Sequence, residues 1–232
     1  MKRLIPPTIR LRMKLVYRKL KDSHSSILFV EGRKDTREYP YYIEEIQPIR
    51  RNNFYQNKIH NIRLGAEYIN NVVINTDETL SFWKLIGNPS FRKGFKEGRN
   101  LISGELRSDV GGGLCQLSGI LYYTALKAGL EITERHNHTL DIYKDEERFT
   151  PLGSDATVVF GYKDLRIKNP YPFPVKFSFK IVESTLSCRC YAPNRLLLNE
   201  IEFHTESISN QMLKVKTFRN KDQISESFYK RI

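Results

Sequence analysis

The sequence lacks any long hydrophobic run: no stretch approaches the roughly 20 apolar residues that a membrane-spanning helix requires. Its first residues are basic, as in a signal peptide. However, Arg10 and Arg12 interrupt the apolar residues that would have to form a hydrophobic region. The sequence therefore predicts neither a membrane-spanning helix nor export through a standard signal. It predicts a chain in the cytoplasm or peripheral at the inner membrane surface.

Cysteine is scarce, with three residues in 232. An odd number excludes a fully paired disulfide framework and fits a reducing compartment. Cys188 and Cys190 alternate along a strand-like run, so they share one face and do not easily bridge each other. The cysteine and histidine spacings match no zinc-binding pattern. We therefore expect neither a metal nor another cofactor.

Acidic residues are absent from residues 1–21, which carry eight of the lysines and arginines of a chain with net charge +12. Apolar residues recur at helical spacing after Pro6-Pro7 and predict an amphipathic helix. Such an arm can bind an anionic membrane surface, or it can simply be solvated. Neither zinc-finger spacing nor RNA-binding aromatic residues accompany the charge, so nucleic acid is not favoured as a partner.

Helical patterns lie early and strand patterns late, which predicts an α+β fold with N-terminal helices and a mainly antiparallel C-terminal sheet. Residues 58–70 predict a helix, and the polar, glycine-containing loop 87–100 suits either a substrate-covering flap or a surface excursion. We expect short strands at residues 27–31, 72–74, 130–134, 156–160, 165–169, 174–181 and 186–191.

The central feature is a run of three glycines, Gly111 to Gly113, followed by Leu114 and Cys115. Apolar residues then recur at i, i+3 and i+4, and Gly129 stands where a helix would end. Cys115 is therefore expected at the N-cap or in the first turn of a helix, where unpaired N–H groups favour a thiolate. The alternative is an inert cysteine beside a tight turn.

A thiol nucleophile needs a base, and imidazole with an orienting carboxylate is the usual arrangement. His138 follows the first strand after the central helix, and Asp155 precedes the next strand. Two strands could bring both side chains beside Cys115. The alternatives are an exposed histidine and an aspartate that caps a turn.

At these residues the sequence resembles the VanW family. The resemblance rests on Gly-Gly-Gly-Leu-Cys-Gln-Leu-Ser, then Glu-Arg-His-Asn-His-Thr and Gly-Ser-Asp-Ala-Thr-Val, with Asp-Glu-Thr-Leu-Ser-Phe-Trp upstream. It covers about residues 58–180. We accordingly divide the chain into a basic arm and extension (1–57), a VanW-like domain (58–192) and a basic tail (193–232). The tail is expected to be partly ordered, because few of its apolar residues fall in register.

Members of this family are linked to peptidoglycan cross-linking as cysteine L,D-transpeptidases. The resemblance implies that Cys115 is the nucleophile, that His138 is the base, and that Asp155 orients the base or shapes the site. Which of the two neighbouring histidines faces the thiol is left open.

The same resemblance suggests further binding residues around the nucleophile. Gln116 and the backbone N–H groups of Gly112 and Gly113 could form an oxyanion hole, and His136 is a further candidate.

Three hypotheses about the function follow. The first is acyl transfer on peptidoglycan stem peptides or precursors through Cys115. The second is a non-enzymatic accessory protein, as in vancomycin-resistance clusters, that binds a cell-wall precursor or the membrane surface. A third alternative is a structural protein in which the glycine-cysteine motif serves only as a turn. Many members of the family are exported. This sequence shows no evident signal, so a role outside the membrane would require unconventional export.

Overall fold

The computed structural model describes residues 5–102, 105–141 and 148–231. Most of the helical structure precedes residue 128, and the long paired strands dominate the later half. The described helices are α1 (Pro7–His24), α2 (Tyr55–Ile69), α3 (Phe82–Ile86) and α4 (Leu114–Lys127).

Thirteen strands are present in the described chain. They are β1 (Tyr41–Pro48), β2 (Val73–Ile74), β3 (Thr79–Ser81), β4 (Glu97–Ile102), β5 (Glu105–Val110), β6 (Glu131–Glu134), β7 (Leu140–Asp141), β8 (Arg166–Lys168), β9 (Val175–Val182), β10 (Thr185–Ala192), β11 (Ile201–Ser209), β12 (Met212–Arg219) and β13 (Asp222–Arg231).

These strands form sheets that are antiparallel at nearly every pair. The main sheet has the order β1-β10-β9-β2, a second has β3-β8-β6, and β4 pairs with β5 as a ribbon. The C-terminal sheet has the order β11-β12-β13-β7, in which only the β13–β7 pair is parallel. The α+β prediction is confirmed.

The core lies where α2 and α4 meet each other and α4 meets the main sheet. The alternation of β10 directs Leu186, Cys188 and Cys190 inward. At Gly65 in α2, a Cβ would lie 2.7 Å from Leu114 and 2.9 Å from Leu117, so glycine allows the helices to cross closely. This packing fixes the position of the N-terminus of α4, where the candidate nucleophile lies.

Helix α1 is attached to the domain largely through charged side chains. Arg18 forms two hydrogen bonds of 3.0 and 2.7 Å to Glu134, and Asp22 accepts bonds of 2.7 and 3.0 Å from Arg166. Leu11 packs near Gly161. Within the described residues, no helix has the length and apolar character needed to cross a membrane.

Two segments expected to be strands do not join a sheet. In residues 27–31, the only strand-type contact is an isolated bridge between Phe29 and Thr79. Residues 156–160 contain one bridge, from Val159 to Lys163. Ala156 and Val158 are buried all the same, because this run passes over α4. The apolar residues of this run therefore indicated burial correctly. They did not indicate a strand, because strand pairing also needs a neighbouring backbone.

The region after residue 192 differs from the expected partly ordered tail, because Ile201 to Arg231 form three long strands. Their small buried cluster consists of Leu213, Val215 and Tyr229. Thr217 and Ser227 share the buried positions. These hydroxyl residues weaken the hydrophobic alternation, which explains why the pattern did not predict the sheet.

Candidate functional site

The glycine run forms the turn that opens α4. Gly111 and Gly113 have φ angles of 90° and 104°, a region that L side chains rarely adopt. Gly113 is the N-cap, and Cys115 is the second residue of the helix. The turn therefore favours glycine at these two positions. The thiol lies in the first turn of the helix, and not at the N-cap, which was the other expected position.

Asn61 holds this turn from α2. Its side-chain amide donates to the carbonyl oxygens of Lys96, at 2.8 Å, and Gly112, at 2.9 Å, and its oxygen accepts from the Lys96 N–H at 2.8 Å. Asn61 is fully buried, as is Phe95 beside Lys96, so this part of the loop 87–100 is anchored. Sequence reasoning missed Asn61. The available signal was a polar residue on the apolar face of a predicted helix.

Three of the predicted residues meet at the start of α4. The Cys115 thiol hydrogen-bonds with the His138 side chain and lies 3.8 Å from the Val158 carbonyl oxygen. His138 Nδ1 lies 2.7 Å from Asp155 Oδ2, and the His138 backbone N–H donates to the same oxygen at 2.6 Å. The imidazole thus lies between the thiol and the carboxylate and contacts both.

Electrostatics favour a charged pair in this group. Burial raises the pKa of Cys115, but hydrogen bonding and the charge of His138 outweigh burial, so the thiol pKa lies below its usual value. Burial lowers the pKa of His138, but the hydrogen bonds and charges of Asp155 and Cys115 outweigh burial and raise this pKa to about 10. The geometry therefore stabilises a thiolate beside an imidazolium relative to an isolated thiol.

Asp155 is in turn held by two residues that sequence reasoning missed. Arg135 donates to Asp155 Oδ1 at 3.0 Å, and the Tyr229 hydroxyl donates to the same oxygen at 2.5 Å. Arg135 also donates to Ser227, so β13 is tied to the site. Burial opposes ionisation of Asp155, but His138 and then Arg135 and Tyr229 keep its pKa below the usual value. Tyr229 carried no local signal, because it comes from 74 residues further along the chain.

The three residues face a cavity of about 460 Å³. Gly112, Gly113 and Gln116 line the same cavity, as expected of binding candidates. Gln116 donates to the Pro48 carbonyl oxygen at 2.9 Å. Its own side-chain oxygen is buried and has no hydrogen-bond partner among the described residues, so it presents an unused acceptor.

His136 is the predicted residue that the structure does not bring to the thiol. Its Nε2 lies 3.1 Å from Glu134 Oε1, and it does not line the cavity. His138 is thus the histidine that faces Cys115. Successive residues point in different directions, and the motif alone could not assign which ring turns inward.

The described residues include no group of three histidine, cysteine, aspartate or glutamate side chains arranged to hold a metal ion.

Comparison with known proteins places this site within a family. The family model described as "VanW like protein" matches residues 57–191, which is more than half of the chain. The uncharacterized protein YoaR of Bacillus subtilis (strain 168) is 38% identical over 120 residues, covering 52% of this chain and 38% of YoaR. The vancomycin B-type resistance protein VanW of Enterococcus faecalis (strain ATCC 700802 / V583) is 32% identical over 116 residues, covering 50% of this chain and 42% of that protein.

The matched segments thus cover well under half of either relative, and no solved structure matches the chain. The family model spans residues 57–191, which include Cys115, His138 and Asp155, and this match assigns the chain to a family. The chain belongs to the VanW family.

Proposed function

We propose that this chain is a cysteine acyltransferase of the L,D-transpeptidase type that acts on peptidoglycan stem peptides or their precursors. The observation that carries the proposal is the meeting of Cys115, His138 and Asp155 at one wall of an open cavity. The enterococcal relative is a vancomycin B-type resistance protein, which supports a substrate related to the cell wall.

The chemistry follows from the three side chains. The Cys115 thiolate attacks a peptide carbonyl, and the imidazolium of His138 donates its proton to the departing amine as the C–N bond breaks. A thioester remains on Cys115. An acceptor amine then attacks the thioester, His138 takes the proton that the amine loses, and the thiolate departs. Asp155 holds the imidazole orientation and stabilises its charge throughout.

The developing oxyanion requires donors near the N-terminus of α4. Gly112 and Gly113 line the cavity there, and we assign their backbone N–H groups to this role. Gln116 also lines the cavity and donates one side-chain N–H to the Pro48 carbonyl oxygen, so we assign its second N–H as a further donor to the oxyanion.

Intact-mass spectrometry of the protein with a stem tetrapeptide and an acceptor amine tests the proposal. We expect a thioester adduct on Cys115 and a transfer product, both lost in Cys115→Ala. The matched control is Cys190→Ala, which removes a thiol that does not line the cavity and should keep both signals. Product formation that persists in Cys115→Ala would disprove the proposal, as would the absence of any adduct across donor peptides.

A second function, binding to a membrane surface, is favoured by the outer face of α1. Ile9, Met13, Tyr17 and Leu20 are exposed on the side opposite the docked Arg18. Basic residues flank this apolar stripe, and no acidic residue lies in residues 1–21. An apolar face flanked by basic residues suits an anionic lipid surface.

Vesicle flotation tests this second function. We expect binding to vesicles containing phosphatidylglycerol, weakening with salt, and no binding to phosphatidylcholine alone. Met13→Asp with Tyr17→Asp should abolish binding, whereas Tyr162→Asp, at an exposed site outside α1, should not. Equal binding by all three proteins would reject the α1 surface as the contact.

A further inference from the structure

The cavity beside the thiol is lined by more basic than acidic residues in the described part of the chain. The charged residues that line it, besides His138, are Arg50, Arg51, Lys58, Arg148, Asp141 and Asp155. Both carboxylates are engaged: Asp141 accepts bonds of 2.9 and 2.7 Å from Arg148, and Asp155 pairs with His138. Among the described lining residues, Lys58 therefore remains as a positive charge that neither of these carboxylates neutralises.

Lys58 is the cation placed next to the catalytic turn. It belongs to the first turns of α2, and a Cβ at Gly113 would lie 2.9 Å from its Cγ. Gly113, two residues before Cys115, thus leaves the space that the Lys58 side chain occupies. The nucleophile and the ammonium group are brought to one cavity by the α2–α4 packing.

The ammonium group of Lys58 has no hydrogen-bond or ion-pair partner among the described residues. Burial, followed by the charge of Arg50, lowers its pKa to about 8. A half-buried ammonium without an anion is costly, and an incoming anion would relieve that cost. The site is therefore prepared for a negative group that arrives with the ligand.

We propose that Lys58 binds the free C-terminal carboxylate of the acyl donor peptide and so selects donors that end in a free acid beside the attacked carbonyl. The identity of the ligand as a donor peptide rests on the proposed acyl transfer. The negative charge of the bound group is inferred from Lys58 in the cavity wall. Lysine supplies a compact cation with three donors, which suits a single carboxylate.

The first test uses the thiol itself and needs no substrate. Iodoacetate and iodoacetamide form the same bond with Cys115 and release iodide, but only iodoacetate carries a carboxylate. In Lys58→Met we expect the ratio of the two rates, iodoacetate over iodoacetamide, to fall about tenfold. Lys58→Arg should keep most of the ratio. Lys180→Met removes an exposed lysine from β9, outside the cavity, and should leave the ratio unchanged.

The wild-type protein offers the same test without a substitution. The ratio should fall as pH rises through about 8, because Lys58 loses its charge there. A ratio that neither Lys58→Met nor pH alters would overturn the proposal. The iodoacetamide rate alone reports whether the thiol is activated, so failure of the acyl-transfer proposal is distinguished from failure of the Lys58 assignment.

The second test compares donor peptides. For the wild-type protein we expect a tetrapeptide with a free C-terminal carboxylate to have a KM about tenfold below that of its C-terminal carboxamide, with similar kcat. Lys58→Met should lose this preference. Equal KM values in the wild-type protein would contradict the carboxylate site even if acyl transfer itself occurs.

Discussion

Cys115 and the pair Cys188 and Cys190 are the same residue type in opposite environments. Cys188 and Cys190 are 0% exposed in β10, inside the core, and burial raises the pKa of both thiols. Cys115 lines a cavity and has His138 as a partner, and its pKa is lowered. The difference shows that a partner and an opening, and not the thiol alone, produce a candidate nucleophile.

The largest expected effect concerns which cysteine reacts. In the folded protein we expect iodoacetamide to label Cys115 and to leave Cys188 and Cys190 unmodified, because these two are closed off by the core. Cys115→Ser should therefore abolish fast labelling. Peptide mapping by mass spectrometry measures this directly, and labelling of the β10 cysteines at a similar rate would remove the contrast.

Substitution of His138 should make Cys115 resemble the core cysteines. In His138→Ala burial dominates, so the thiol pKa rises and the alkylation rate at pH 7 should fall at least about tenfold. In the wild-type protein the rate should rise with pH through the lowered thiol pKa. It should then stay nearly flat until His138 deprotonates at about pH 10.

The matched control is His136→Ala, which removes the neighbouring histidine that bonds Glu134 instead. Its pH profile should coincide with that of the wild type. Identical profiles for all three proteins would mean that the thiol is not activated by His138.

Tyr229 tests how far the contrast depends on the C-terminal sheet. Tyr229→Phe removes the hydroxyl donor to Asp155 and leaves the ring in its buried cluster. We expect an alkylation rate at pH 7 about threefold lower, since a hydrogen bond to a charged group is worth about 1.5 kcal/mol or more and only part of it reaches the thiol. The unfolding free energy should fall by about 1.5 kcal/mol.

Tyr162→Phe, at an exposed tyrosine, is the control and should change neither quantity. If Tyr229→Phe lowers stability but leaves the pH profile of alkylation unmoved, the residue is structural and does not position the Asp155–His138 pair.

The smallest effect is expected from the core cysteines. Cys190→Ala should lower the unfolding free energy by about 1 kcal/mol through the small cavity left between β10 and α4. The alkylation rate of Cys115 should not change. Urea denaturation with parallel labelling measures both, and a loss of Cys115 reactivity in this variant would show that the two environments are coupled.

Much of this organisation could be predicted from local pattern. Period-3.6 spacing predicted α1, α2 and α4, and alternation predicted β9 and β10. Pattern failed where hydroxyl residues fill buried positions, as in the C-terminal sheet with Thr217 and Ser227. It also failed at residues 156–160, which are apolar because they cover α4 and not because they pair.

By itself the sequence determined the chemistry that could assemble: a thiol after a glycine turn, two histidines, an aspartate and a surplus of basic residues. Local rules suffice there, because the φ angles of the turn at Gly111 and Gly113 favour glycine and a helix start favours a thiolate. Only the tertiary structure decided that His138 faces Cys115 while His136 turns away. It also placed Asn61, Arg135, Tyr229 and Lys58 around the thiol. These residues are distant in the chain, so only packing of the helices and sheets determines that they meet.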